Sequence, residues 1–339
     1  MSGDSYGGRV TRRIALRNAG IVAGGAALAA GTGAGTGAAS AAVRGAPHGG
    51  GRPRHGTVRT YVLVHGTHSA GAYWTPIARE LTLRGHRVVA VDQPLHGAEA
   101  FVPEAYQTQD LRALATEPSP VARLGLDDYA RRVEQAVRRA AEHGPLVLVA
   151  HSMGGISVTR TGNAVPELID HICYMASFCP SRSMPTLNDC MSAPESASAV
   201  STDEQVVGDM ERLGVARFNW RTGRRKDLDV FKEMICADHP DDAFRRVIAG
   251  MQTDETLRAY GERAVGERDT WGRVPRTYLR FGRDRLVTPE LQDRMINEAD
   301  RLTPGNQFTV HDFTRAPHIG PLDPAPVVDA LEGVAVRRR

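Results

Sequence analysis

The sequence predicts an α/β fold in which a mostly parallel sheet is flanked by helices. Short apolar runs that suit strands alternate with segments of helical periodicity over residues 57–177 and 266–339. Such alternation is typical of a parallel sheet covered on both faces. Residues 178–265 interrupt the pattern, because they are irregular, polar and too long for a plain loop. We expect them to form a small, mainly helical cap inserted into the core.

The predicted elements before the insertion follow in strand–helix order. VRTYVLVHG (58–66) is an apolar run that ends in a turn, and WTPIARELTLRG (74–85) has helical spacing and a terminal glycine. The next elements are a short buried strand (86–92), an amphipathic helix (126–143), a strand (145–150), a helix beginning at GGISVTRTG (154–162) and a strand (169–177). After the insertion come strands 276–282 and 307–313, a helix between them (288–299) and a closing helix (324–336).

Composition and charge limit the classes of function. Hydrophobic residues make up 41% and charged residues 24%, which suits a packed globular core. The formal net charge is +3, and residues 1–42 hold four arginines against one aspartate, so the remainder is close to neutral. We therefore expect no nucleic-acid partner, since such a protein needs a basic face.

The amino terminus has the pattern of an export signal. Arg12 and Arg13 precede a short apolar stretch (21–30) and then small residues, as in a bacterial signal peptide of the twin-arginine type. The stretch is shorter than the roughly 20 apolar residues of a membrane span, and no cysteine offers a lipid anchor. We predict a signal peptide over 1–42, a flexible linker over 43–56, passage through the twin-arginine machinery and a secreted or extracytoplasmic location. The alternative is a disordered tail with a chance arginine pair.

The cysteines and glycines do not indicate a metal or a cofactor. No CxxC or Cys/His spacing suggests zinc, and no phosphate loop or dinucleotide fingerprint follows a predicted strand. We expect neither a metal nor a cofactor. A Cys179–Cys190 disulfide stays open at this stage.

The segment LVLVAHSMGGIS (146–157) places a serine at a sharp strand-to-helix corner. Ala150 and Gly154 flank Ser152 at two residues' distance, which departs from G-x-S-x-G by one methyl group. Such a turn projects the hydroxyl above the sheet edge, with the Met153 N–H facing the same space. Ser152 is therefore the predicted nucleophile. The alternative, a simple helix N-cap, does not explain two consecutive glycines after a buried strand.

A serine hydroxyl needs a base and an orienting acid. Catalytic groups of such sheets gather at the carboxyl ends of the strands. Asp284 follows strand 276–282 and His318 lies in the loop before the final helix, so we assign them as acid and base. The order Ser152, Asp284, His318 is that of a nucleophile–acid–base triad.

Three competitors for these roles remain. His311 falls inside a strand, Asp312 is close to the strand body, and Asp92 ends an earlier strand whose loop more often shapes a pocket wall. The loop after strand 169–177 offers no acidic residue. These positions make the three residues weaker candidates than Asp284 and His318.

The loop HGTHSAGAYW (65–74) is the predicted source of a second oxyanion donor. Gly66 allows the backbone to approach the serine, and the Thr67 N–H would then join that of Met153. His68 and Trp74 either line the pocket or pack beneath the loop. The predicted pocket residues are Gly66, His68, Trp74, His151 and Ile319.

The chain resembles the α/β-hydrolase superfamily over nearly all of residues 57–339. The matching segments are VLVHGTHSAGAYW, GHRVVAVD, AHSMGG, FGRDRLVTPELQDRM and APHIGPLDP. Within it, the chain is most similar to the branch of plant methyl esterases, hydroxynitrile lyases and bacterial pyrethroid-hydrolase-type esterases. The lyases have lysine where this chain has Ile319 and threonine where it has Gly66, so the resemblance implies ester hydrolysis. Ser152 disfavours the epoxide hydrolases and dehalogenases, which use aspartate there.

The resemblance and the triad order together imply a serine carboxylester hydrolase, and the amino terminus predicts that it is exported. Methionines and aliphatic residues in the insertion indicate a small to medium apolar substrate, a small-molecule ester. A lactonase, thioesterase or cyclase would use the same triad. A non-catalytic binding protein on this scaffold is disfavoured, because every catalytic position holds a competent residue.

Overall fold

The computed structural model describes residues 57–336. The predicted signal peptide (1–42) and linker (43–56) lie outside the described residues. The strands are β1 (Thr60–Val64), β2 (Arg87–Val91), β3 (Leu146–His151), β4 (His171–Met175), β5 (Val215–Arg217), β6 (Asp254–Thr256), β7 (Arg276–Phe281) and β8 (Thr309–Phe313). Within the described part of the chain, six of these form one parallel sheet in the order β2-β1-β3-β4-β7-β8.

The helices lie on both faces of this sheet. They are α1 (Thr75–Leu83), α2 (Glu104–Thr108), α3 (Leu111–Leu114), α4 (Leu126–Ala140), α5 (Gly154–Ala164), α6 (Leu187–Met191), α7 (Met210–Leu213), α8 (Arg225–Ile235), α9 (Asp241–Ala249), α10 (Leu257–Tyr260), α11 (Pro289–Leu302) and α12 (Ala325–Gly333). The predicted fold class is therefore confirmed.

Strand β1 shows how the sheet separates two hydrophobic layers. Its side chains alternate between faces, as the pleat requires. Val62 and Val64 join the cluster that contains residues of α4, α5 and α11. Tyr61 and Leu63 join the opposite cluster, which contains residues of α1 and α12. Because both faces are covered, the central strands are continuous apolar runs, which is why the sequence located them well.

The strand predicted at 86–92 is present as β2, but the prediction that it is buried is wrong. Strand β2 is at an edge of the sheet, and Val89 is 40% exposed. An apolar run predicts a strand, but it does not tell whether that strand has one or two neighbouring strands in the sheet.

The insertion holds more than helices. Besides α6–α10, residues 178–265 contain the antiparallel pair β5–β6. A buried ion pair holds this pair together: Arg217 Nε and Nη2 each donate to an Asp254 carboxylate oxygen at 2.7 Å. The boundaries of the insertion as a domain stay a prediction. Among residues 57–336, no helix is both long and apolar enough to cross a bilayer.

Candidate active site

Ser152 occupies the tight turn between β3 and α5. Its φ angle is 52°, in the left-handed region that a residue with a Cβ rarely adopts. The Ser152 carbonyl accepts hydrogen bonds from the Phe178 N–H at 3.0 Å and from Ser177 Oγ at 2.7 Å. These bonds hold the strained residue in place from the end of the neighbouring strand β4.

The glycines after Ser152 let the backbone pack where a side chain would not fit. A Cβ on Gly154 would lie 2.6 Å from the His65 carbonyl oxygen. A Cβ on Gly155 would overlap the Phe178 carbonyl oxygen and Ser177 Oγ. Ala150, by contrast, is accommodated in the core with no exposed surface. The alanine that replaces the first glycine of the motif is therefore compatible with the packing of the turn.

Gly155→Ala is expected to lower the free energy of unfolding by about 1–3 kcal/mol, because the added methyl group overpacks a site bounded by backbone. The measurement is urea denaturation of the purified variant. Gly305→Ala is the control, since a Cβ there would meet nothing within 4 Å. Equal stability of the two variants would show that the turn is not tightly packed.

Ser152, His318 and Asp284 form one hydrogen-bonded chain. His318 Nε2 lies 3.0 Å from Ser152 Oγ, and His318 Nδ1 lies 2.7 Å from Asp284 Oδ2. All three residues are at most 4% exposed. The structure thus brings together three side chains from the ends of different strands, in the geometry that general-base activation of a hydroxyl needs.

The other oxygen of Asp284 is fixed by the backbone. Oδ1 accepts hydrogen bonds from the N–H groups of Leu286 at 2.8 Å and Val287 at 2.9 Å. These donors stabilise the ionised carboxylate and leave Oδ2 facing His318. Asp284 can therefore hold the tautomer of His318 in which Nδ1 carries the proton.

The three competitors lie in other environments. Asp312, within β8, is 3.2 Å from Arg280 Nη1. Asp92 accepts hydrogen bonds from the Gly71 N–H at 2.7 Å and the Ala98 N–H at 3.2 Å, and so shapes the loops after β1 and β2. His311 lies within β8. The His318 ring instead bonds to Asp284 and Ser152.

The loop after β1 passes directly over Ser152. A Cβ on Gly66 would lie 2.6 Å from Ser152 Cβ and 3.1 Å from its Oγ. Among the described residues, none accepts a hydrogen bond from the backbone N–H of Thr67 or of Met153. Both N–H groups therefore remain available beside the serine.

The other predicted pocket residues have different surroundings. Trp74 is fully buried in the α1–α12 cluster, a position that favours packing over contact with a ligand. His151 is buried and donates from Nε2 to the His318 carbonyl at 2.8 Å. His68 packs edge-on against Phe218 of the insertion. Ile319 packs against the aromatic cluster that contains Phe218.

Several residues near the site were not among the predicted site residues. Tyr73 stacks on the His151 ring at 4.5 Å and donates from its hydroxyl to the Ile319 carbonyl at 3.2 Å. Glu255 and Tyr260, from the insertion, bond to the loop after β1. Tyr73 lies in a loop that the sequence had singled out, but the two insertion residues are far away along the chain.

His65 is a buried neutral histidine beside the site. Nδ1 donates to the Gly66 carbonyl at 2.8 Å, and Nε2 accepts the Gln93 N–H at 3.1 Å. Burial, and then the charge of His96, lower the pKa of His65 to about 4. A proton on Nε2 would face the Gln93 N–H, so the folded state requires the neutral ring.

Stability is expected to fall as the pH decreases from about 6.5, the ordinary histidine pKa, to about 4, the folded-state value for His65. In this window the unfolded chain binds a proton that the folded chain does not, so acid favours unfolding. The stabilisation is complete above pH 6.5, and His65 alone accounts for on the order of 3 kcal/mol. Urea denaturation at several pH values tests this, and His65→Asn should flatten the profile. Parallel profiles for the two proteins would contradict the role of His65.

Two further features of the described residues concern metal-binding groups and thiols. Among residues 57–336, no group of three or more His, Cys, Asp or Glu side chains could hold a metal ion. All four cysteines lie in this range and are free, including Cys179 and Cys190. Burial raises the pKa of Cys179 to about 12, so its thiol is protonated at neutral pH.

Comparison with known proteins places the chain in a family. The sequence model of the alpha/beta hydrolase family matches residues 61–330, so the chain belongs to that family. It is 24% identical over 250 residues to Methylesterase 7 of Arabidopsis thaliana, which covers 71% of this chain and 84% of the relative. It is 27% identical over 278 residues to Esterase PIR7B of Oryza sativa subsp. japonica, covering 76% and 88%.

Solved structures share the fold. Polyneuridine aldehyde esterase superposes with a TM-score of 0.60 at 17% identity, over 81% of this chain and 98% of the other. A pyrethroid hydrolase superposes with a TM-score of 0.59 at 18% identity, over 81% and 96%. The predicted resemblance is confirmed, and the chain is an ester hydrolase of this family.

Proposed function

We propose that the chain is an exported serine esterase that cleaves a carboxylic ester of a small to medium apolar substrate. The observation that carries this proposal is the hydrogen-bonded chain from Ser152 through His318 to Asp284. Export rests on the sequence of residues 1–42 alone.

The proposed mechanism uses this hydrogen-bonded chain and the two backbone N–H groups beside the serine. His318 Nε2 takes the Ser152 proton as Oγ attacks the acyl carbon, and the N–H groups of Thr67 and Met153 stabilise the oxyanion. The alcohol leaves with the proton from His318. Water, deprotonated by His318, then attacks the acyl-enzyme, and the carboxylic acid is released as Ser152 regains its proton. Asp284 stabilises the imidazolium that forms. Base catalysis typically contributes about 10²–10⁴-fold and each oxyanion donor about 10²–10³-fold.

The apolar substrate is supported by what surrounds the residue after the base. Ile319 and Leu286 pack against a cluster in the insertion that holds Phe218, Trp220, Phe231, Met234 and Phe244. An ester group presented to Ser152 would have this apolar surface nearby. Relatives named as methylesterases make short alkyl esters the first compounds to test.

A panel of substrates tests the reaction class. Purified protein should hydrolyse nitrophenyl and methyl esters of short to medium acyl chains more efficiently than lactones or thioesters of matched size. A higher kcat/KM for lactones or thioesters would support the alternative acyl chemistries of the same triad. No turnover of any member, together with tight binding, would indicate a binding protein.

A further inference from the structure

One short segment of the insertion, residues 252–260, is hydrogen-bonded to the loop after β1. The Gln252 N–H donates to the His68 carbonyl at 2.7 Å, and His68 Nδ1 donates to the Gln252 carbonyl at 3.0 Å. The His68 N–H donates to Glu255 Oε2 at 3.1 Å, and Thr67 Oγ1 lies 2.6 Å from the Tyr260 hydroxyl. Four hydrogen bonds thus fall on two consecutive residues beside Ser152.

Glu255 is a fixed, buried carboxylate. It has no exposed surface, and its Oε1 accepts hydrogen bonds from the Tyr129 hydroxyl at 2.6 Å and the Thr256 N–H at 3.1 Å. His96 Nε2 lies 3.3 Å from Oε2. Burial is the largest single effect and raises the pKa of Glu255. The charges of His96 and His68, together with the hydrogen bonds from His96 and Tyr129, outweigh burial in sum and lower that pKa to about 2. An ionised acceptor therefore faces the His68 N–H at every working pH.

These hydrogen bonds hold His68 in an unfavourable backbone conformation. Its φ angle is 53°, which is left-handed for a residue with a Cβ. Such a conformation costs about 1–2 kcal/mol and persists only where surrounding contacts enforce it. Here the N–H, the carbonyl and the side chain of His68 are all bonded to the insertion. The residue immediately before it, Thr67, carries the proposed oxyanion donor.

We propose that Glu255 and Tyr260 are positioning residues that orient the Thr67 N–H for ester hydrolysis. Glu255 fixes the peptide group that follows Thr67, and Tyr260 fixes the Thr67 side chain. With both held, the direction of the Thr67 N–H is set from the insertion rather than from the sheet. The inference rests on the proposed function, in which that N–H binds the oxyanion.

The test compares kcat and KM for Glu255→Ala, Glu255→Gln and Tyr260→Phe with a nitrophenyl ester. Loss of orientation should lower kcat by about tenfold to a hundredfold, less than the loss of a whole donor, with little change in KM. Glu255→Gln should recover part of the loss, because one acceptor oxygen remains. Ser196→Ala is the matched control: it removes a buried hydrogen bond to the Cys190 carbonyl elsewhere in the insertion. It should lower Tm and leave kcat unchanged.

Inhibitor binding distinguishes a misoriented Thr67 N–H from a general disturbance of the active site. An alkyl boronic acid forms a tetrahedral anionic adduct with a serine, so its Ki should rise by the same factor as kcat falls in Tyr260→Phe. The Kd of a neutral ether analogue of the substrate should stay constant. Unchanged kcat in both Tyr260→Phe and Glu255→Ala, or equal weakening of both inhibitors, would overturn the inference. Activity in Ser152→Ala would instead overturn the proposed function itself.

Discussion

Ser152→Ala is expected to reduce kcat on the order of 10⁶-fold, the loss typical of a serine hydrolase without its nucleophile. The hydroxyl lies 3.0 Å from His318 Nε2, within hydrogen-bond reach of the base. Without it no acyl-enzyme forms, and only the oxyanion donors and substrate binding remain to accelerate attack by water. The measurement is the rate of ester hydrolysis at saturating substrate.

The same variant should fold normally. Alanine keeps the Cβ, so the backbone strain at φ 52° is unchanged, and the free energy of unfolding should change by less than about 1 kcal/mol. Ser196→Ala is the control, since it removes another buried serine hydroxyl, one that donates to the Cys190 carbonyl at 2.9 Å. It should retain full activity. Comparable turnover in Ser152→Ala and Ser196→Ala would exclude Ser152 as the nucleophile.

Asp284→Asn is expected to lower kcat by about 10⁴-fold, because it reverses the tautomer of the base. The oxygen of the new amide will stay on the Leu286 and Val287 N–H groups, since these can only donate. Its NH₂ group then faces His318 Nδ1. The imidazole must accept there and carry its proton on Nε2, where it cannot deprotonate Ser152.

Asp92→Asn is a closely matched control for this change. Asp92 also follows a strand and also accepts two backbone N–H groups, from Gly71 and Ala98. It should lose stability but keep kcat within a few-fold, since its oxygens bond to loop backbone rather than to His318. The reverse result, with Asp92→Asn inactive and Asp284→Asn active, would contradict the assignment of Asp284 as the orienting acid.

The sequence predicted the parts of the site that local rules determine. Parallel strands end at a common edge, so a residue just after an apolar run can be placed without knowing the whole fold. Ser152, Asp284 and His318 each follow such a rule. The exposure of β2 could not be predicted in this way, because the order of strands, not their composition, decides which strand is at the edge.

The contacts from the insertion could not be predicted for a different reason. Glu255 and Tyr260 are 187 and 193 residues from their partners His68 and Thr67. Neither belongs to a motif, and a buried glutamate looks the same in sequence as a solvated one. Such contacts depend on how irregular segments pack against each other, which neither periodicity nor spacing encodes.

Covalent labelling by a fluorophosphonate, mapped by peptide mass spectrometry, tests the central claim most directly. The reagent reacts with a serine only where a base activates it and oxyanion donors stabilise the adduct. One equivalent of label is expected on the peptide containing Ser152, with none after Asp284→Asn on the same timescale. An unlabelled protein that still hydrolyses esters, or a label on another residue, would contradict an account based on Ser152, His318 and Asp284.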